Sequence, residues 1–230
     1  MRELPILFST PMVQAILNGT KTQTRRIFKD ENGEARISTD VTRVNVSTNG
    51  VATLTFPLAD GTFATKVYTY KCPYGGIGDR LWVRETWANT ERGDLLSKPL
   101  IPFYYNKAIA YKADCDKEVF SLGGNYTPRE YDFKWHPSIH MPRWASRITL
   151  EITNIRLERV QDITEEDARA EGVERQKDGL YKDYLLREHV SGCSTSEASF
   201  QTLWESINAK RGFGWGKNLW VWAIGFQRVK

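Results

Sequence analysis

Lys21-Thr22-Gln23-Thr24-Arg25-Arg26 is the densest run of reactive side chains in the sequence, with three cations and two hydroxyls in six residues. Three chemistries suit it. A solvated basic loop needs only water. A polyanion, or a pocket that needs polarised donors, would use the cations as charged hydrogen-bond donors. In the third, a lysine crowded by other cations and partly desolvated loses preference for its ammonium form. Its pKa then moves from ~10.4 toward neutrality, where it can serve as base or nucleophile.

A second group lies in the strand-like run RLWVRETW from Arg80. Alternation puts Trp82 and Arg84 on one face and Leu81 and Val83 on the other. Either face could line a pocket: Trp82 could stack on a base, and Glu85 could accept from a cytosine amino group. A core tryptophan and a structural Arg–Glu pair are the alternative. His140, Arg143, Trp144 and Ser146 form a third group in a proline-bounded segment before a strand. His136 and His140 are four apart, but Pro137 lies between them and no Cys-x-x-Cys occurs, so no metal site is expected. There is no phosphate-binding glycine loop or serine nucleophile elbow, and no cofactor is expected.

The elements that must position these groups are well punctuated. Leu4 to Phe8 reads as a strand. Thr10 as cap, Pro11 in the first turn and Gly19 as stop define a short helix with Val13, Ile16 and Leu17 as its apolar stripe. Strand-like runs at 42–47, 51–56 and 62–70 are separated by Asn49-Gly50 and Asp60-Gly61, so a meander is expected over 28–71. Residues 89–140 read as an irregular surface excursion. From Arg147 the alternation of Ile148, Leu150 and Ile152 shifts at Ile155 and Leu157, which predicts one bent or bulged strand, or two. Thr164 and Asp167 open a second short helix that Gly172 ends, and Ser194 with Glu197 opens a third, whose apolar face is Phe200, Leu203, Trp204 and Ile207. A last strand carries Trp220, Trp222, Ile224 and Phe226 on one side. The fold class expected is α+β, mostly antiparallel with a few short helices.

Composition sets the outer limits. The 230 residues are 40% hydrophobic and include 8 Trp, 10 Tyr and 10 Phe, enough to fill a core and to exclude disorder. A formal net charge of +4 permits nucleic acid without arguing for it. Three scattered cysteines fit a reducing compartment rather than a disulfide framework. No apolar run approaches the roughly 18 residues a span needs, and MRELPILFST lacks a cationic stretch followed by an apolar one. A cytoplasmic protein with no membrane partner is therefore expected.

PILFSTPMVQAILNGTKTQTRR, GDRLWVRETW, SIHMPRWASRITL with ITEEDARAEGV, and the closing WVWAIGF, in this order, resemble the ASCH domain family, in the longer form common in phages and prophages. The resemblance implies a PUA-like β-barrel spanning 1–230 as one domain, with insertions at about 28–71 and 89–135. It covers Leu4–Arg26, Gly78–Trp87, Ser138–Gly172 and Phe200–Val229. Gly19, Lys21 and Arg26 match the family's loop, but Thr24 stands where a glutamate is usual. That Lys-x-x-Thr form is similar to bacterial ASCH enzymes that hydrolyse N4-acetylcytidine to cytidine and acetate. It implies Lys21, Thr24 and Glu171 as catalytic residues. Amide hydrolysis without a metal could then use Thr24 or an activated water as attacker, neutral Lys21 as proton acceptor and Arg26 as oxyanion donor, with the choice between Lys21 and Thr24 as nucleophile left open by the sequence. The resemblance also places the Arg143 segment near the pocket mouth. Arg26, Trp82, Arg84, Glu85 and Arg143 are the expected substrate-binding residues. Without the resemblance, Glu171 would read as an exposed residue at a helix end. The competing expectations are a module binding single-stranded RNA or DNA, with ribonuclease activity as in some ASCH proteins, and a phage accessory protein whose insertions bind a host partner.

Overall fold

The chain ends meet in one sheet. The structure, a computed structural model, describes residues 1–30, 33, 35, 41, 43–57, 65–89, 109–115 and 134–229. β1 (Glu3–Leu7) runs parallel to β6 (Arg80–Arg84). β6 pairs antiparallel with β9 (Thr149–Arg159), β9 with β10 (Trp220–Arg228), and β10 with β2 (Gln23–Ile27). The order β1-β6-β9-β10-β2 leaves β2, which carries the basic run, at an edge. A second sheet is the meander β3 (Arg43–Val46), β4 (Val51–Pro57) and β5 (Thr65–Lys71), antiparallel throughout. With α1 (Thr10–Leu17), α2 (Glu165–Ala170) and α3 (Ser196–Asn208), the architecture is mixed α+β, mostly strands with a few short helices.

One face of the five-stranded sheet builds the main core. Ile6, Leu81, Val83, Leu150, Trp222 and Ile224 are buried there with Val13 and Ile16 of α1 and with Ala52 and Leu54 of the meander. α1 thus packs, through the Val13 and Ile16 of its expected apolar stripe, on the sheet that holds both chain ends. The opposite face buries Val221 under Val173, Phe200 and Trp204, in a cluster contributed largely by α2, α3 and their flanks. β10 is therefore buried on both sides, which explains why LWVWAIGF is nearly all apolar.

β9 is one bulged strand. Gly225 pairs with Asn154 while Phe226 pairs with Ile152, so Thr153 is the extra residue. The bulge lets Ile152 and Ile155 both face the core despite their odd spacing.

Local readings needed adjustment at several ends. Ser9, not Thr10, is the cap position of α1, and it makes no side-chain cap bond. Thr195, not Ser194, caps α3, accepting from the Ala198 N–H. RLWVRETW breaks after Arg84; β7 (Trp87–Asn89) instead pairs antiparallel with β8 (Ile109–Tyr111), a ladder inside the stretch expected to be irregular. Gly50 has φ 77 at the expected Asn49-Gly50 turn. Asp60-Gly61 and residues 62–64 lie outside the described residues. No helix among the described residues is long and apolar enough to cross a membrane.

Candidate active site

Gly19 (φ 77) ends α1 and turns the chain so that the Lys21 N–H donates to the Ala15 carbonyl at 3.1 Å. From there the chain runs alongside the end of α2. Lys21 forms an isolated antiparallel bridge with Glu171, and the Thr22 N–H donates to the Ala170 carbonyl at 2.8 Å. The approach is tight enough to require glycine at 172, where φ is +80 and an added Cβ would lie 2.9 Å from the Lys21 Cβ. α2 gains its direction from Thr164, whose hydroxyl accepts from the Asp167 N–H. These local features bring together two residues 150 apart in sequence.

Lys21 Nζ donates to the Glu171 carbonyl at 2.7 Å and to its Oε2 at 2.9 Å, and its side chain is fully buried. Burial pushes the Lys21 ammonium below the ordinary lysine range. Glu171 opposes this, whereas Arg26 and Arg25 push the same way. This is the crowded, desolvated lysine of the third chemistry, now with a carboxylate attached.

Arg25 holds the other side of that carboxylate. Its Nη1 donates to Glu171 Oε1 at 3.3 Å, and its Nη2 to Glu158 Oε1 at 2.5 Å and Asp167 Oδ2 at 2.8 Å. Arg156 donates to Glu158 and Asp167 in turn. The basic run gave Arg25 no separate role. The signal that could have found it is across the sheet: Arg25 and Arg156 both pair with Ala223, a small residue on the strand between them.

Thr24 and Arg26 alternate with Arg25 along β2 and pair with Ile224 and Trp222. Thr24 is buried. Arg26 Nη2 donates to the Leu7 carbonyl at 2.6 Å, with its guanidinium 5.1 Å from the Phe8 ring centroid. Burial, with Arg211 adding to it, pushes the Arg26 pKa down against the opposing pull of Tyr74 and Glu171.

A cavity of about 570 Å³ opens here. Thr24, Arg25, Arg26 and Glu171 line one part, and Tyr74, Phe200, Trp204 and Trp222 supply aromatic surface. Lys21 is not among the lining residues; its link to the cavity runs through Glu171, which it contacts and which does line it. Ile207, expected on the apolar face of α3, is half-exposed and lines the cavity instead of the core. A second cavity, about 1050 Å³, shares Met12, Arg26 and Ile207 with the first.

The other expected binding residues sit elsewhere. Trp82, Arg84 and Arg143 line neither cavity; they form their own cluster, with both guanidinium groups within 6 Å of the Trp82 ring. Arg84 donates to the Met141 carbonyl at 3.1 Å and to that of Ile139, and Arg143 pairs with Glu3. Alternation was right about which residues share a face, but Leu81 and Val83 took the core and left this face outside. Glu85 is buried against Arg147, which donates to both its oxygens at 3.0 Å. The structural Arg–Glu pair is present, with Arg147 rather than Arg84 as partner. Burial pushes the Glu85 carboxyl up, and Arg147 holds it down. His136 packs against Trp87 at 5.2 Å between ring centroids.

The arrangement can do proton-transfer chemistry at an aromatic-lined cavity: a buried amine donates to a carboxylate that lines the cavity together with a threonine and two arginines. Comparison of the chain with protein-family models, curated proteins and solved structures finds no match.

Proposed function

We propose that this protein is a metal-independent amidohydrolase of ASCH type that cleaves N4-acylated cytosine nucleosides, such as N4-acetylcytidine, to the nucleoside and a carboxylic acid. We read the five-stranded sheet and the meander, which share one core, as its PUA-like barrel. The carrying observation is the Lys21–Glu171 contact at 2.9 Å, fully buried on the lysine side and beside a cavity that Thr24 lines. The cavity volume, about 570 Å³, falls within the range of roughly 300–1,000 Å³ typical of small-molecule sites.

The chemistry follows from these positions. The oxygen of Thr24, or of a water beside it, adds to the acyl carbon. Its proton passes to the Lys21–Glu171 pair, which can take it because the lysine's neutral form is favoured by burial. Arg26, two residues along the same face of β2, donates to the developing oxyanion. The C–N bond then breaks and the pair returns the proton to N4. If Thr24 attacks, an acyl ester forms and water hydrolyses it. If water attacks, the acid leaves directly.

Lys21→Arg tests this. Arginine keeps the charge but cannot give up a proton at workable pH. Cytidine release from N4-acetylcytidine should fall at least about a hundredfold, the scale of general acid–base catalysis, with the circular dichroism spectrum unchanged. Hydrolysis retained by a folded arginine variant would sink the mechanism, and absence of hydrolysis in the wild type would sink the function.

A further inference from the structure

The cavity carries more positive charge than hydrolysis of a neutral nucleoside requires. Among the described residues its lining holds five cations, Arg25, Arg26, Lys29, Lys71 and Arg211, against two carboxylates, Asp30 and Glu171. The excess of three is most of the formal +4 carried by all 230 residues. Arg25 and Glu171 are engaged with each other and with Lys21, Glu158 and Asp167; with those two set aside, Arg26, Lys29, Lys71 and Arg211 face Asp30, and the excess is still three.

The outer cations are also placed against one another. Lys29 Nζ lies 6.0 Å and the Arg211 guanidinium 5.9 Å from the centroid of one ring, Phe213. Arg211 is near enough to Arg26 to push its guanidinium toward the neutral form. Arg26 Nε is buried with no hydrogen-bond partner among the described residues. Like charges gathered at a cavity wall repel, and a bound anion turns that repulsion into attraction. Three separate segments supply them: Lys29 follows β2, Lys71 ends β5, and Arg211 follows α3.

We propose that Lys29, Lys71 and Arg211 form a phosphate subsite, and that the ligand of this cavity is a phosphorylated cytosine nucleoside rather than the free nucleoside. This rests on the nucleoside reading given above for the same cavity. All three line this cavity, Lys29 and Lys71 also line an adjoining one of about 470 Å³, and three cations gathered at that junction suit a single phosphate better than the length of a strand.

The test is calorimetric binding of cytidine, cytidine 5′-monophosphate and a tetracytidylate without terminal phosphates. It is run on the wild type and on the Lys29→Gln/Arg211→Gln variant. Both residues are exposed, so the double variant should fold, and circular dichroism verifies it. The monophosphate should bind the wild type roughly tenfold tighter than cytidine at low salt. That ratio should shrink as salt rises and approach one in the variant. Equal affinities in the wild type, no binding of the monophosphate, or a ratio unchanged in the variant would overturn the subsite. Tighter binding of the tetracytidylate than of the monophosphate would overturn it in favour of a strand backbone. Hydrolysis of N4-acetylcytidine is assayed in parallel. Hydrolysis without a phosphate preference fails the subsite alone, and a phosphate preference without hydrolysis fails the amidohydrolase reading alone.

Discussion

Gly172→Ala tests the placement of Lys21 without reference to any substrate. Gly172 and Gly19 have nearly the same backbone, φ +80 and +77, so a side chain at either meets the same left-handed penalty, about 1–2 kcal/mol. Their surroundings differ. A Cβ at 172 would lie 2.9 Å from the Lys21 Cβ and 3.2 Å from the Ala15 Cβ, while a Cβ at 19 meets nothing within 4 Å. Neither neighbour can swing aside, because both are Cβ atoms fixed to backbone. The Lys21 backbone is held by Ala15 on one side and by the Glu171 bridge on the other. Overpacking of this kind costs about 1–3 kcal/mol. Gly172→Ala should therefore lose about 2–5 kcal/mol and Gly19→Ala about 1–2, the difference measuring the contact with Lys21 and Ala15. Urea unfolding of both variants, with a shared slope, gives the two numbers. Equal losses would refute the close approach, and with it the account of how the lysine is positioned.

Three further outcomes are expected. The Lys21 pKa is depressed in the fold below 10.5, so between its folded value and 10.5 the unfolded chain binds more protons and stability rises with pH. The stability difference between wild type and Lys21→Met should climb across that window, and a difference independent of pH would contradict the depressed lysine. Burial pushes the Cys72 thiol from 9.0 up to about 11, so the unfolded chain ionises first and this site loses about 2–3 kcal/mol as pH rises through that interval. Cys72→Ala should flatten that part of the alkaline unfolding curve, and an unchanged curve would place the thiol in water. Trp82→Ala should keep hydrolysis of N4-acetylcytidine within about twofold, while losing about 0.5–1 kcal/mol for each cation–π contact removed. A rate loss beyond tenfold would bring Trp82 into the site after all.

The parts of this fold that could be read from the sequence are those settled by neighbours in the chain. Pro11, Gly19, Asn49-Gly50 and Gly172 each act through their own backbone, and the structure uses each where expected. The shift from Ile152 to Ile155 is compatible with a bent strand, a bulged strand or two strands, and the structure has the bulge, where an extra residue changes the parity of the side chains. The basic run marks Lys21, and the resemblance groups it with Thr24 and Glu171; the structure puts Lys21 against Glu171, but the pair's further partners were not legible. Arg25 depends on the register of β2 against β10, and the outer cations depend on three segments meeting at one cavity. Trp82 and Arg84 lie apart from that cavity for a related reason. A period of two sorts residues into faces, but what covers each face is decided by distant chain.

The Lys21–Glu171 contact also dictates when the site can exist. Its two halves are 150 residues apart, and closing a loop of that length costs about 4 kcal/mol of chain entropy before any contact is gained. Lys21, Thr24 and Arg26 are synthesised early but wait for Glu171, and β2 also waits for β10, which pairs with it from the far end of the chain. A nascent chain that has not reached residue 171 therefore has the basic run but no buried pair, and its lysine remains an ordinary hydrated ammonium. Gain of the depressed lysine would report closure of this 150-residue loop, making this one side chain an internal clock for folding.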